Sequence, residues 1–526
     1  MNNYIKYIVA GVIAFYILVN CISPPTVNED TACGLLCLKN MINGGSFNTI
    51  AVPNASNIAL DKEVFVAAWT PLSYLVTAPL VYVGVSIKNA CLLISLLSLI
   101  VGCVGIFKLL LYFKLSPRIA WATLLVVITC RSNFNTNYYN ILLAETLVFA
   151  TLPWFVLVSI YLTNKQNEGK FTRNFVTFAT LCFVMIMIKL TMIIACGAMV
   201  VYIALNSVKH RQFSNVAVMV LAFSVALIGF KYLYQSKGVD TSILKGGVYV
   251  HTKYENVFVA SASPIASIFN LTDLEDDKLP AQIKNTFVTN KPIILLMLSV
   301  VVVLLLYFYG KQIQAQHHAY VLLVLCFYAV YSVVFFYFAM NENAIDFNYR
   351  HFRFVTILFI PLFILLIDAL SNKYIRATCY TCIALLVMYG LGTFSYKKLI
   401  VNKRNPVARS GFAMNYTDVA ALNYLHHIDD SLRTGNNLIM VTNPELALEI
   451  MHNRQMVSLQ YYSSGLKYGW LQPHYYGSVD NLYVFAEKLF LNTSSQEQML
   501  STLFQNYTLQ PIKTFDKIII YKGIKK

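Results

Sequence analysis

Three groups of ionisable residues in this 526-residue chain stand where long apolar runs end, and their types suit one chemistry. The first is Asn28-Glu29-Asp30-Thr31, followed by Ala32 to Ile42 at helical spacing and by Asn43-Gly44-Gly45 as a stop. A carboxylate at a helix start is stabilised as the anion and is available to accept a proton, which makes Asp30, or Glu29 beside it, a candidate general base. The same position suits a simpler task, because Asp30 or Thr31 can cap an amphipathic surface helix. The second group is Tyr138-Tyr139-Asn140 followed by Ala144-Glu145-Thr146. Glu145 reads as a second functional acid or as a helix-start charge that pairs with a cation. The third combines Lys189, alone between two apolar half-runs, with Asp346-Phe347-Asn348-Tyr349-Arg350-His351-Phe352-Arg353. The planar guanidinium fork matches phosphate oxygens, so Arg350 or Arg353 suits a lipid phosphate at headgroup depth. Snorkelling to the headgroups is the competing reading, chiefly for Arg353.

What must position these groups is a membrane. Apolar residues make up 57% of the chain and charged ones 12%, with a mean hydropathy of +0.59. No compact globule hides that much apolar surface from water, so a soluble enzyme, a disordered scaffold and a collagen-like fibre are excluded. The net charge of +16 does not call for nucleic acid, because the positive-inside bias of membrane proteins gives the same balance. Runs near twenty residues, enough to cross a hydrocarbon core, lie at 4 to 22, 89 to 113, 140 to 163, 213 to 234, 292 to 310, 318 to 340, 352 to 371 and 376 to 395. Shorter runs at 118 to 130 and across 174 to 206, the latter long enough for two helices around Lys189, raise the expectation to about eleven spans.

Lys114, Arg118, Lys165, Lys170, Arg173, Lys209, Arg211, Lys311, Lys373 and Arg376 fall in loops on one side, which is therefore cytoplasmic. The loops 23 to 88 and 235 to 291 and everything after 396 then lie on the outer face. The first run leads into Cys21-Ile22-Ser23-Pro24-Pro25 without a small-residue cleavage site, so it reads as a retained helix. Most of the 11 cysteines sit inside apolar runs, where a thiol is a small hydrophobe, and no disulfide framework is indicated.

The tail is compositionally soluble from about 412 and reads as a small α/β domain. Helices are expected at Tyr416 to His427 and Phe485 to Phe490, and strands at Asn437 to Thr442 and Asp516 to Lys522. Asn443 and Pro444 suit the cap and first position of a further helix. No glycine-rich cradle follows the strand, which argues against a nucleotide site. Cys33 and Cys37 stand one helical turn apart without histidines, and His426 and His427 face apart, so no metal site and no cofactor are expected. Tyr249, His251, Tyr254 and the acidic Asp273 to Asp277 of the second outer loop read either as a cover over a sugar or as interfacial anchors. The tyrosine-rich Tyr461, Tyr462, Tyr468, Trp470, Tyr475 and Tyr476 suit sugar stacking or packing onto the membrane domain.

Taken in order, EDTACGLLCLKNMINGGSFN, WTPLSYLVTAPL, LLAETLVFATLPWFVLVSIYL and YRHFRFVTILFIPLFILL resemble the motifs of C-type polytopic glycosyltransferases that use polyprenyl-phosphate sugars, in the style of bacterial aminoarabinose and protein mannosyl transferases. The resemblance runs through about the whole chain, carried by motif order and topological placement. It implies an all-α polytopic membrane domain over 1 to 395 and a small α/β extracytoplasmic domain over 396 to 526, in a bacterial inner membrane. The acid after the first span is the family's catalytic base, which falls on Asp30 with Glu29 as the alternative; Glu145 matches a second outer-face acid. The family's basic residue near the paired fifth and sixth spans, commonly Arg, is Lys189 here. The family's arginine-led opening of a late span is matched by Arg350, with Arg353 competing. Tyr138, Tyr139, Tyr349 and His351 are the expected substrate contacts.

The expected partners are a polyprenyl-phosphate sugar donor, a glycan, lipid or protein acceptor, and membrane lipid. The expected step is direct displacement at the anomeric carbon with inversion. The rival class is a transporter or flippase of lipid-linked sugars, whose usual mark of matched interrupted spans is not detected in the two halves. An envelope protein with a purely structural task has no need of these charges at one face. The enzyme reading demands one geometry: Asp30 and Glu145 must open toward one space that also presents Lys189 or Arg350.

Overall fold

A computed structural model describes residues 2–67, 69–130, 139–164, 170–209, 213–238, 257–271, 274, 280–312, 317–340, 349–457, 474–489, 491 and 494–526. Helix α1 (Asn2–Ile22) leads through the two-residue strand β1 (Thr26–Val27) into α2 (Glu29–Ile42). A hairpin of β2 (Thr49–Asn54) and β3 (Asn57–Phe65) and two short helical turns, Leu72–Leu75 and Ala78–Tyr82, complete the first long loop. Then come α3 (Ile87–Tyr112), α4 (Pro117–Thr129), β4 (Asn140–Ile141), α5 (Leu143–Leu162), α6 (Phe171–Ile188), α7 (Met192–Lys209), α8 (Phe213–Leu233), α9 (Val259–Ile268), α10 (Ala281–Gln312), α11 (His318–Met340), α12 (Arg353–Ala369) and α13 (Lys373–Tyr396).

Among the described residues, 8 helices are long and apolar enough to cross a membrane. Helices α4, α7 and α12 occupy the other expected positions but are shorter apolar helices or fall outside that set. Helix α9 and the hairpin were not expected; both lie in segments read from the sequence as loops.

The C-terminal part holds α14 (Val419–Ser431), β5 (Asn437–Val441), α15 (Pro444–Ala447), β6 (Arg454–Val457), β7 (Asn481–Glu487), α16 (Ser494–Leu503), β8 (Tyr507–Thr514) and β9 (Ile518–Lys525). Its sheet has the order β6-β5-β7-β9-β8, with β5 parallel to β6 and β7 and with β9 antiparallel to β7 and β8. The expected helix at Phe485 to Phe490 is wrong: Phe485 lies in β7. A strand covered on both faces is apolar at every position, and Leu482 to Ala486 are all buried, so the period-two signal that separates strand from helix is missing. The other three expectations hold with shifted ends, at α14, β5 and β9, and Asn443 does cap α15 by accepting from Glu445 N at 2.9 Å.

Two packing facts position the site. The first concerns α2, where Thr31 to Leu38 are buried without interruption, so it is not an amphipathic surface helix. Its apolar side chains share one core with the hairpin and the C-terminal sheet. Each fully buried leucine there contributes about 1.5–3 kcal/mol. Gly34 is what lets the Tyr74 ring lie flat on the helix, since a Cβ there would stand 2.8 Å from Tyr74 Cδ1. The helix ends where Gly44 takes φ +90°, a left-handed conformation that suits glycine.

The second fact is the latch between α2 and the C-terminal domain. Lys39 Nζ donates to Ala447 O at 3.0 Å, to Ile450 O and to Gln455 Oε1 at 3.2 Å. Burial, opposed by the nearby Asp429 and Glu449, pulls this ammonium down to about 8. The hairpin adds an Asp61–Arg454 ion pair and backbone bonds of 2.8 Å between Ile58 N and Tyr476 O and between Tyr476 N and Ala55 O. The helix that carries Asp30 is thus seated between the membrane helices and the C-terminal sheet.

Candidate functional site

Backbone pairing brings the two acids together. Thr26 and Val27 of β1 pair in parallel with Asn140 and Ile141 of β4, and each strand feeds straight into a helix. Asn28 N donates to Ile141 O at 3.1 Å and Leu143 N donates to Thr31 Oγ1 at 3.2 Å, so α2 and α5 start side by side. Asp30, three residues past Val27, and Glu145, four past Ile141, therefore stand on adjacent helix starts. The cap of α2 is Asn28, whose side chain accepts from Asp30 N at 3.0 Å. This corrects the expectation that Asp30 or Thr31 caps the helix: Asp30 is inside the first turn and its carboxylate is left for other partners, while Thr31 serves α5.

Those partners are the expected cations. Arg350 Nη1 lies 2.9 Å from Asp30 Oδ2 and 3.9 Å from Glu145 Oε1, and Lys189 Nζ lies 2.9 Å from the same Glu145 oxygen. Lys189 reaches inward because α6 stops there: it takes an extended conformation, φ −157° and ψ 128°, before the chain resumes as α7. Arg350 is presented by the single turn Tyr349–His351 ahead of α12. Arg353, the first residue of α12, is within electrostatic reach of Glu145, Arg350, Cys130 and Tyr139. Asp30 and Glu145 together with Lys189, Arg350 and Arg353 sum to one excess positive charge, the balance that draws in an anion.

Glu29 is the other acid in the first turn of α2. It is within electrostatic reach of Glu445 and Tyr416 of the C-terminal domain. Tyr139 O accepts from Thr26 Oγ1 and from Asn402 Nδ2, each at 3.0 Å. His351 Nδ1 is buried with no hydrogen-bond partner among the described residues. Burial, then the nearby Lys189, Arg350 and Arg353, hold this imidazole well below the usual histidine range, so it is neutral. Tyr138 lies outside the described residues, as do Asp346, Tyr249, His251, Tyr254, Asp273, Tyr461, Tyr462, Tyr468 and Trp470.

One contact was missed from the sequence. Trp69 Nε1 donates to Asp30 Oδ1 at 3.0 Å, so the two carboxylate oxygens meet different donors. Trp69 opens the WTPLSYL segment, but an indole in a loop before Thr-Pro carries no sign of which acid it will meet.

A small, mainly apolar pocket lies between α4, α12 and α13, lined by Cys130, Ile268, Ile360, Ile364 and Leu386. Cys130 of this lining is within electrostatic reach of Arg353. The three close-set metal-capable residues among those described, Asp429, Asp430 and His452, are in the C-terminal domain.

The molecule is thus a multi-span helical membrane protein with a C-terminal mixed-sheet domain, and a paired cluster of charges sits where the two meet. Two crystal structures share this fold over its whole length. ArnT from Cupriavidus metallidurans bound to undecaprenyl phosphate superposes with a TM-score of 0.54 at 9% identity, over 99% of this chain and 98% of that one. The same protein in its apo state gives 0.51 at 9% identity, with the same coverage. The chain thus shares the fold of ArnT, the kind of polytopic membrane fold that the motif order implied. No family model matches the chain, and no curated protein matches it in sequence.

Proposed function

We propose that the chain is a membrane glycosyltransferase that moves a sugar from a polyprenyl-phosphate donor to an acceptor hydroxyl with inversion. One observation carries the reading: a single guanidinium, Arg350, bridges the two acids Asp30 and Glu145, while Lys189 holds the second of them. A base that strips a proton from an alcohol and a cation that receives a departing phosphate must be neighbours, because both charges change in the same step. Asp30 takes the acceptor proton as the acceptor oxygen bonds to the anomeric carbon and the bond from that carbon to the phosphate oxygen breaks. Arg350, Lys189 and Arg353 receive the phosphate. Glu145 keeps the cations in place, and Tyr138, Tyr139, Tyr349 and His351 contact the sugar. Glu29 faces the C-terminal domain, so Asp30 is preferred as the base.

Further support for a lipid-borne donor comes from the apolar pocket between α4, α12 and α13, whose lining residue Cys130 is within electrostatic reach of Arg353. The likeness to a protein that was crystallised with undecaprenyl phosphate points the same way. With α4, α7 and α12 counted as crossings, the bundle has about eleven spans, consistent with the basic loops facing the cytoplasm of a bacterial inner membrane and the C-terminal domain facing out. The acceptor is a glycan, lipid or protein hydroxyl at that surface.

The test is transfer from a synthetic polyprenyl-phosphate sugar by the detergent-solubilised chain. Asp30→Asn is expected to lower turnover by about 10²–10⁴-fold while the chain stays folded. Unchanged turnover in both Asp30→Asn and Glu29→Gln overturns the reading. Movement of the donor across a vesicle membrane without any transfer product marks a flippase instead.

A further inference from the structure

We infer that Trp69 is a positioning residue for the transfer step: its indole N–H fixes one oxygen of Asp30 so that the other is presented beside Arg350. The inference rests on the reading of Asp30 as the base. Arg350 alone does not fix the carboxylate, because the same Nη1 that lies 2.9 Å from Oδ2 is also drawn toward Glu145, 3.9 Å away. A carboxylate held by one shared donor can rotate about its Cβ–Cγ bond and exchange its oxygens. The bond from Trp69 Nε1 to Oδ1, 3.0 Å long, removes that freedom from a second direction. A neutral donor also leaves Oδ2 as the oxygen whose partner can shift. As negative charge builds on the leaving phosphate, Arg350 follows it and Oδ2 receives the proton.

The backbone of Trp69 is itself held, and not by Asp30. The Tyr234 hydroxyl, just past α8, lies 2.6 Å from Trp69 O and 2.9 Å from Val66 O. It accepts from Asn48 Nδ2 at 2.9 Å, and Asn48 Oδ1 accepts from the Tyr74 hydroxyl. Asn48 is fully buried and takes a left-handed φ of 56°, a conformation that asparagine tolerates better than most residues. Tyr74 in turn lies against Gly34 of α2. This buried chain of hydrogen bonds ties the Trp69 backbone to the helix that carries Asp30 and to the end of a membrane helix. Such a network is costly unless every member is satisfied, so it makes a stiff mount.

The bland alternative is that Trp69 merely fills space, and two comparisons separate the two. Trp69→Phe keeps a large apolar ring and loses the N–H. Trp69→His keeps a ring N–H at nearly the same reach from Cβ and loses apolar bulk. In the transfer assay, Trp69→Phe is expected to lower kcat by about 10- to 100-fold, the worth of a hydrogen bond to a charged group, with the donor KM changed less than about twofold. Trp69→His is expected to retain more of kcat than Trp69→Phe. A filling role gives the opposite rank, and that rank overturns the inference. In an Asp30→Asn background, Trp69→Phe is expected to cost nothing further, because the two residues act as a unit. An equal loss in both backgrounds, or no loss in either, also overturns it. Turnover unaffected by Asp30→Asn itself is the separate failure of the base assignment.

Discussion

Two regions bury acids, and they answer the charge in different ways. At the mouth of the membrane domain, Asp30 and Glu145 meet side-chain cations, Arg350 and Lys189, at 2.9 Å. In the C-terminal domain, Asp429 and Glu449 are fully buried, more deeply than the partly exposed Asp30, and are met chiefly by backbone N–H groups. Asp429 accepts from Met451 N at 2.8 Å and from His452 N and Asn453 N at 3.1 Å, and Glu449 accepts from Arg409 N at 2.6 Å and Ser410 N at 3.2 Å. A backbone donor cannot leave without undoing a loop, whereas a guanidinium can change partners by rotating. Burial of an acid is therefore no sign of a site. The sign is a partner that is free to move to something else. The Asp429, Asp430 and His452 group is a case in point, since the oxygens of Asp429 are already spent on a loop.

The sharpest way to break this contrast is at the Lys189–Glu145 pair. Lys189→Met takes the hydrogen-bonded cation from an acid that is only 7% exposed, and such a loss costs about 3–5 kcal/mol. The melting midpoint of the detergent-solubilised chain is expected to fall, and transfer activity to drop at least about 100-fold. Adding Glu145→Gln removes the stranded charge. The double variant is expected to recover most of the lost stability but none of the activity, and recovery of both would show the pair to be no more than a structural clip.

The mirror experiment is Asp429→Ala. It strands three backbone donors at a loop, at a cost of about 3 kcal/mol in stability. Activity per folded molecule is expected to stay within about twofold of the native chain, with the fraction folded measured by size exclusion. A large loss of specific activity would place the C-terminal loop inside the reaction and blur the distinction.

Much of this arrangement was legible in the sequence, and the exceptions have physical causes. Asp30, Glu145, Lys189 and Arg350 stood out because an ionised group at membrane depth must have a partner, and the four proved to be one another's partners. Local pattern could not show that α2 would be buried from Thr31 to Leu38, because what covers it is a sheet more than four hundred residues away in the chain. Phe485 was misread for a related reason, since a strand enclosed on both faces has no alternation to see. Asn28 was overlooked as the cap because two acids follow it, and the acids drew the assignment. Trp69 finds Asp30 from beyond β3, a path that no spacing rule describes.

The finest test separates the two regions by pH. Glu445 is buried, with Oε1 3.4 Å from Tyr416 N and no hydrogen-bond partner for Oε2 among the described residues. Burial first, and then the neighbouring Glu487 and Glu29, push its carboxyl well above the usual glutamate range. The folded chain therefore binds a proton at this residue over a range where the unfolded chain has released it. Stability from this group is complete below the ordinary glutamate pKa of about 4.3 and is lost as the pH rises toward the raised folded value. Glu445→Gln mimics the protonated form at every pH. The melting midpoint of the native chain relative to that of Glu445→Gln is expected to drop steadily as the pH is raised from 5 to 8. The variant should be the more stable near neutrality by about 1–3 °C. A difference independent of pH, or one that grows in favour of the native chain as the pH rises, would mean that Glu445 is ionised in the fold and holds a cation, as the acids at the membrane mouth do.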